Sequence, residues 1–393
     1  MEKAIVLTGA CRTAIGKFGG SLANTPVAQL GAAVIKDAIK RAGIQENQVD
    51  CVIMGCVLQT GTGQNVARQA AIKAGLPVDV PAETVNSVCG SGLRSINIAA
   101  SMILSGQADI VVAGGMENMS GAPYFLSKAR YGYKMGNSEL YDSMIYDGLR
   151  DAFGDYHMGI TAENLSTKYD ISRHRQDEYA VESQNKYQAA KSKDLFADEI
   201  TPITINKDKQ IFAIDEYPRS DVTYEKISGL KPVFLPDGTV TAANASGIND
   251  GAAAVVVMSA DKAKELGIKS CARWIGGDWA GVEPSLMGLG PVNAITKLLS
   301  RISMNLNDFG LIEINEAFAV QVLSIVEELN IDLTRLNVNG GAIAIGHPIG
   351  ASGCRILVSL LHEMRRRYTR YGLASLCIGG GMGIATAVEN ITL

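Results

Sequence analysis

The sequence predicts an α/β protein made of two similar units, with an insertion in the first, and three observations carry that prediction. Apolar strand-like runs alternate with amphipathic helical patterns along most of the 393 residues. The patterns near the two ends repeat each other in order. A more polar stretch between them, residues 120–245, matches neither. Alternating strands and helices imply mostly parallel sheets covered by helices, and two such units can pack through a shared helical layer.

In the first unit, residues 5–7 read as a strand and Pro26 opens a helix, since proline suits the first helical position. Val27, Leu30, Val34, Ile35, Ala38 and Ile39 then share one helical face. A polar break over 45–48 precedes a strand over 49–54. A strand over 84–88 then runs through Gly90-Ser91-Gly92 into a helix to about 104. The next strand, 109–113, is capped by Gly114-Gly115, and the apolar run 251–258 returns later as a buried strand. The second unit repeats this plan. Residues 272–275 are a strand, and Pro291 opens a helix carrying Ala294, Ile295, Leu298, Leu299 and Ile302. A polar break over 305–308 and a strand over 311–314 follow. Residues 336–338 match 84–88, and Gly350-Ala351-Ser352-Gly353 leads into a helix to about 367. A strand over 373–378 ends at the run Gly379, Gly380, Gly381.

Residues 120–245 are richer in Tyr, Lys, Asp and Glu and include a polar helix-like stretch over 172–190. A structureless loop of that length is disfavoured, so this stretch reads as an inserted domain. The expected division is 1–119 with 246–269, then 120–245, then 270–393. Net charge is −4 with no basic block, which argues against nucleic acid as a partner. Met1-Glu2-Lys3 precedes the first strand with neither a signal core nor a transit segment. No apolar run reaches membrane-spanning length, and Ile391-Thr392-Leu393 is no retention tail. The expected location is the cytoplasm, with no membrane partner. Seven cysteines, an odd number without a C-x-x-C pair, read as reduced thiols, and no zinc or other metal is expected.

Ligand sites in open α/β sheets form beyond the carboxyl ends of strands. Cys89, Asn315, His347 and Cys377 each follow a predicted strand, which is a reason to expect them in one site. Cys89 precedes a helix whose N-terminus is expected to lower the thiol pKa. Local sequence leaves a buried structural thiol and a nucleophile both open there. His347, one of four histidines, lies in Gly346-His347-Pro348, where its pKa suits taking the Cys89 proton. His174 and His362 read instead as solvated helix positions. Asn315 would be an odd choice after an apolar strand without a polar task. The glycines after Cys377 read equally as tight packing or as a backbone donor site. No phosphate loop is present, and Ser95 stands where a dinucleotide fingerprint needs its third glycine, so ATP and NAD are poor guesses.

The motifs Val88-Cys89-Gly90-Ser91-Gly92, Asn315-Glu316-Ala317-Phe318, Gly346-His347-Pro348 and Cys377-x-Gly379 together resemble the thiolase family, with matches from near residue 12 to 383. The resemblance implies two βαβαβαββ halves in five layers, α-β-α-β-α, with a loop domain inserted in the first. It implies an acyltransferase that reversibly condenses two acetyl-CoA into acetoacetyl-CoA and CoA through an acetyl-cysteine. In that scheme Cys89 takes the acetyl group, His347 is its base, and Cys377 moves the α-proton. Gly379 and Cys89 donate backbone N–H groups to the acyl oxygen, and Asn315 holds a water beside His347.

The same resemblance points to Arg219 for the nucleotide of coenzyme A, and to Ser246 and His157 for the pantetheine arm. Met158, Met287 and Phe318 would wall a short acyl pocket, since Tyr156-His157-Met158-Gly159 resembles the short-chain biosynthetic type. No prosthetic group is implied, and a homotetramer, a dimer of dimers, is. The rivals are a longer-chain 3-ketoacyl-CoA thiolase, a ketoacyl synthase with a Cys-His-His set, and a non-catalytic acyl-CoA-binding relic. Met382 and Cys354 depart from the family's commoner glutamine and alanine.

Overall fold

Strand and helix alternate as the sequence predicts, and the computed structural model describes residues 4–205 and 210–392. Residues 1–3 and 393, used in reading the two termini, lie outside the described residues. The first half runs β1 (Ile5–Thr13), α1 (Val27–Ala42), β2 (Cys51–Gly55), α2 (Val66–Ala74), β3 (Ala82–Val85), α3 (Ser91–Leu104) and β4 (Ile110–Asn118). Two helices, α4 (Met158–Tyr169) and α5 (Arg173–Ser192), lie in the long insertion, and β5 (Asn249–Ser259) completes the half. The second half runs β6 (Ala272–Gly281), α6 (Gly290–Ile302), β7 (Leu311–Ile314), α7 (Ala319–Leu329), α8 (Ile349–Arg366), β8 (Tyr371–Ile378) and β9 (Met382–Asn390).

The strands of the first half pair in the order β1-β5-β4-β2-β3 and those of the second in the order β6-β9-β8-β7. An antiparallel pairing of Ile5 to Leu7 with Ala272 to Trp274 joins the two sheets. Helices α1 and α2 cover one outer face, α3 and α8 fill the layer between the sheets, and α6 and α7 cover the other outer face. That is five layers. Along β5, Ala252, Ala254, Val256 and Met258 enter the outer core, while Ala253, Val255 and Val257 enter the central one. A strand buried on both faces needs no polar alternation, which is why 251–258 reads as an unbroken apolar run.

Four expectations need correction. The sheets are mixed rather than mostly parallel: β1, β5, β6 and β9 pair antiparallel with one another and with the strands beside them, while parallel pairing is kept by β2 with β3 and β4, by β7 with β8, and by the end of β1 with the short strand Ile200–Thr201. The turn of three glycines from β8 to β9 is too short for a helical crossover and permits only antiparallel return. The expected strand over 336–338 is a single bridge from Ile312 to Leu336. The expected strand over 84–88 ends at Val85, before a tight turn. Finally, β4 does not stop at Gly114-Gly115 but continues to Asn118. A Cβ on Gly115 would collide with the Gly350 carbonyl, so that glycine lets the start of α8 lie against the strand.

Helices α4 and α5 of the insertion share one apolar cluster with α6 and α7, including Met158, Leu165 and Tyr179 beside Met287, Phe318 and Val322. The insertion therefore lies directly over the end of the second half where the strands β7 and β8 finish.

Candidate active site

Two helix starts meet in the central layer. Gly92 in α3 and Gly353 in α8 face each other across the helix pair. A Cβ on Gly92 would lie 2.8 Å from the Cys354 nitrogen, and one on Gly353 would strike the Leu93 backbone. Only residues without a side chain allow this approach, and it brings the residues just before each helix together. Those residues are Cys89 and His347.

The turn before α3 is tightly held. The Ser87 N–H donates to Ser91 Oγ at 2.9 Å, and that hydroxyl donates to the Val88 carbonyl at 2.6 Å. Val88 adopts φ 45°, a left-handed conformation that a β-branched residue takes only under strain. The next side chain, Cys89, packs partly against the central core and borders a cavity beyond it. Its sulfur receives the Gly379 N–H and its own N–H, both of which favour the thiolate, yet burial outweighs them and pushes the thiol up to about 11. The residue keeps part of its surface open, but the sulfur lies among protein atoms, and desolvation of the charged form dominates. The lowering expected from the start of α3 at Ser91 is outweighed, because burial disfavours the thiolate more than the nearby N–H groups favour it.

His347 is held from both sides. Its N–H donates to Asn249 Oδ1 at 3.0 Å, and Asn249 in turn donates to the Gly16 carbonyl at 3.0 Å. Its Nδ1 lies 2.6 Å from Ser352 Oγ and 3.4 Å from Asn315 Nδ2. Its Nε2 has no hydrogen-bond partner among the described residues. Burial, with the nearby Arg355 guanidinium, pushes the imidazole down to about 3. Burial thus favours the neutral form of both thiol and imidazole.

Asn315 is fully buried behind His347, its N–H donating to the Ser375 carbonyl at 3.0 Å and its Oδ1 facing Arg355 Nη2 at 3.4 Å. Glu316 accepts from Tyr179 and Ser183 of α5 at 2.9 and 2.7 Å, tying the insertion to the loop after β7. Cys377, at the end of β8, is 1% exposed, and burial with the neighbouring Cys89 pushes its thiol up. Gly380 and Gly381, at φ 83° and 82°, then turn the chain back.

Cys89, His347, Cys377 and Gly379 line one cavity of about 370 Å³. Of the other expected site residues, His157, Met158, Arg219, Ser246, Met287 and Phe318 line it too. The His157 ring stacks on Phe234 at 4.6 Å between centroids, with Nδ1 accepting the Gly159 N–H at 3.1 Å. Arg219 lies 5.9 Å over the Tyr217 ring, at the cavity mouth beside Lys17. A larger hollow of about 660 Å³ lies at the far end of α8 among Arg41, Lys269, Arg365 and Arg366. None of the expected site residues reaches it, and cations there suit the carbonyl ends of α1 and α8. His362, expected to be solvated, is half-buried beside it and lies 3.1 Å from the Ala10 carbonyl.

Sequence reasoning missed Glu117, Ser352 and Arg355. Glu117 is fully buried and accepts the N–H groups of Val57, Leu58 and Gly350 at 3.0, 3.1 and 2.9 Å, clamping the first half to the start of α8. A carboxylate two residues past a double glycine was the available signal. Ser352 and Arg355 sit at five and eight residues from His347, on the helix that it precedes, and that spacing was legible.

Residues 5–261 match the family model described as thiolase, N-terminal domain, and residues 268–390 that described as thiolase, C-terminal domain. The chain is 58% identical to an acetyl-CoA acetyltransferase of Cupriavidus necator over 98% of this chain and 99% of that one. It is 56% identical to an acetyl-CoA acetyltransferase of Pseudomonas aeruginosa, over 98% and 99%. Among solved structures, that of the Bacillus anthracis acetyl-CoA acetyltransferase matches with a TM-score of 0.97 at 45% identity, covering 99% of each chain. Human mitochondrial 3-ketoacyl-CoA thiolase in complex with CoA matches at 0.96 and 42%, covering 99% of this chain and 98% of that one.

Proposed function

This chain belongs to the thiolase family, and from that premise we propose that it is an acetyl-CoA C-acetyltransferase. The observation that carries the reading is the convergence of two thiols, an imidazole and a backbone N–H on a single cavity. Cys89 gives its proton to His347 Nε2 and its sulfur attacks the carbonyl of acetyl-CoA. The N–H groups of Cys89 and Gly379 serve the developing oxyanion, a contribution worth about 100- to 1,000-fold per donor. CoA leaves with the proton. A second acetyl-CoA enters, and Cys377 first gives its thiol proton to the freed His347 Nε2. The Cys377 thiolate then takes an α-proton, while the imidazolium and a water held by Asn315 meet the enolate oxygen. The carbanion attacks acetyl-Cys89, the carbon–sulfur bond to Cys89 breaks to give acetoacetyl-CoA, and the Cys89 sulfur takes the proton from His347. The reverse sequence is thiolysis.

A buried, neutral thiol suits Cys377, because a carbon acid next to a thioester gives up its proton only to a strong base, and a high thiol pKa makes its thiolate one. No prosthetic group takes part, and the partners are acetyl-CoA, acetoacetyl-CoA and CoA. Arg219 would meet the nucleotide, and Ser246 and His157 the pantetheine arm. Met158 supports the short-chain reading over the longer-chain rival: its sulfur lies 3.4 Å from where a Cβ on Gly379 would stand, close against the acyl site. The exposed side chains of Tyr131, Met135 and Leu140 offer apolar surface for a tetramer built as a dimer of dimers. No helix among the described residues is long and apolar enough to cross a membrane, which suits a cytoplasmic enzyme.

The test is CoA-dependent cleavage of acetoacetyl-CoA beside 3-ketooctanoyl-CoA, with intact-mass detection of acylated protein. Cleavage of the short substrate alone, with acetyl on Cys89, is expected. Comparable cleavage of both moves the assignment to a longer-chain thiolase. Cys89→Ala should abolish acylation, whereas Cys377→Ala should retain it while condensation collapses. Loss of both steps in Cys377→Ala would remove the division of roles.

A further inference from the structure

We propose that Ser352 is a positioning residue for His347, the acceptor that lets the imidazole carry a proton on Nδ1 and turn a bare Nε2 lone pair to the cavity lined by Cys89. The proposal rests on the functional reading above and adds a third, uncharged member to the thiol and imidazole.

Nδ1 has two neighbours of opposite consequence. Asn315 presents its Nδ2 at 3.4 Å, and its Oδ1 faces Arg355 Nη2, a group that only donates. The asparagine amide is thereby oriented with N–H toward the imidazole, which favours the tautomer protonated on Nε2. That tautomer cannot accept the thiol proton. Ser352 Oγ lies 2.6 Å from the same Nδ1 and 2.9 Å from the Pro348 carbonyl. A carbonyl only accepts, so a hydroxyl donating there leaves its oxygen lone pairs for Nδ1–H. Among the described residues no other acceptor is within hydrogen-bond reach of Nδ1. Serine and imidazole are both buried, so an Nδ1–H without a partner would carry a desolvation penalty.

The step balances simply. The Cys89 S–H bond breaks and its proton goes to Nε2, while Nδ1–H stays on Ser352 Oγ throughout. Sulfur bonds to the acetyl carbon, the carbon–sulfur bond to CoA breaks, and the departing sulfur takes the proton back from Nε2. A serine, unlike the carboxylate of a serine-protease triad, stabilises the tautomer without adding a charge that would hold the imidazolium.

The experiment is single-turnover acetylation of Cys89 by acetyl-CoA, read by intact mass, in wild type, Ser352→Ala and Ser352→Thr, with 15N-histidine NMR on wild type and Ser352→Ala. Alanine removes one oxygen and adds no bulk, and thermal unfolding checks that the fold is kept. Acetylation should slow at least tenfold and approach about 100-fold, the lower end of what a general base supplies. Threonine, which keeps the hydroxyl, should restore it to within about threefold of wild type. The His347 signal should report Nδ1–H in wild type and Nε2–H in Ser352→Ala. Wild-type His347 protonated only on Nε2, or Ser352→Ala acetylating at the wild-type rate, would overturn the proposal. A wild-type protein that takes no acetyl group would instead remove the functional reading on which it stands.

Discussion

The turn before α3 and the turn before α8 occupy the same station in the two halves of the molecule, and they carry different chemistry. Each follows the third strand position of its half and leads into the helix that fills the central layer. One presents a thiol on a strained backbone, with Val88 at φ 45°. The other presents an imidazole whose backbone and ring are both held by side chains from outside the turn. The difference teaches that one placement, repeated in two similar halves, carries different roles according to the side chains that surround each turn. The strands that follow diverge in the same way. Strand β4 runs through its two glycines to deliver Glu117 to the start of α8, whereas β8 stops at its glycines and leaves Cys377 and the Gly379 N–H at the cavity.

The sharpest test of that comparison asks whether thiol and imidazole are a neutral pair at rest. With Cys89 pushed up to about 11 and His347 down to about 3, the thiolate fraction should climb throughout the alkaline range. The rate of iodoacetamide alkylation of Cys89 should therefore rise about tenfold per pH unit from pH 7 to 10, roughly a thousandfold in all, without levelling off. The sign follows from the thiolate being the nucleophile and being disfavoured by burial. A plateau already reached near neutral pH would mean a thiolate–imidazolium pair, and the two turns would then act as one ion-paired unit.

A second test pushes the two turns apart. Gly353→Ala places a Cβ against the Leu93 backbone, which cannot yield as a side-chain end would. Overpacking of this kind costs about 1–3 kcal/mol. A displacement near 1 Å between Cys89 and His347 should lower kcat/KM for acetoacetyl-CoA cleavage about 100-fold. Unchanged activity with unchanged thermal stability would show that the helices can separate freely and that the glycines do not set the distance.

Much of this arrangement was legible in the sequence because it depends on period and punctuation. Pro26, Pro291 and the apolar face from Val27 to Ile39 mark helices by rules local to a few residues, and the structure keeps α1 and α6 where they were read. Cys89, His347 and Cys377 were legible because each is a reactive residue inside a glycine-marked turn. What was not legible depends on partners distant in the chain. Glu117 gains its place from Val57 and Gly350, and the continuation of β4 through Gly115 depends on a carbonyl 235 residues further on. The strand at 336–338 was misread for the opposite reason: its residues match 84–88 in pattern, yet the second sheet uses one bridge there. Thiol pKa was misjudged because proximity to a helix start is visible in sequence and the desolvation that outweighs it is not.

The smallest effect expected is also the one that separates strain from packing in the first turn. A β-branched residue at φ 45° carries about 1–3 kcal/mol of backbone strain, which Val88→Gly would release. Against that stand the half-buried valine side chain, whose burial contributes about 1 kcal/mol, and the extra freedom of glycine in the unfolded chain, which costs about 0.5–1 kcal/mol. The terms nearly cancel, so stability measured by denaturant unfolding should stay within about 1 kcal/mol of wild type. Activity should not cancel in the same way. A glycine at this position no longer fixes the direction of Cys89, and acetylation should fall by about tenfold through loss of orientation. A loss of more than about 2 kcal/mol would instead mean that Val88 is held for its contacts with the central core, and that the backbone conformation is merely tolerated.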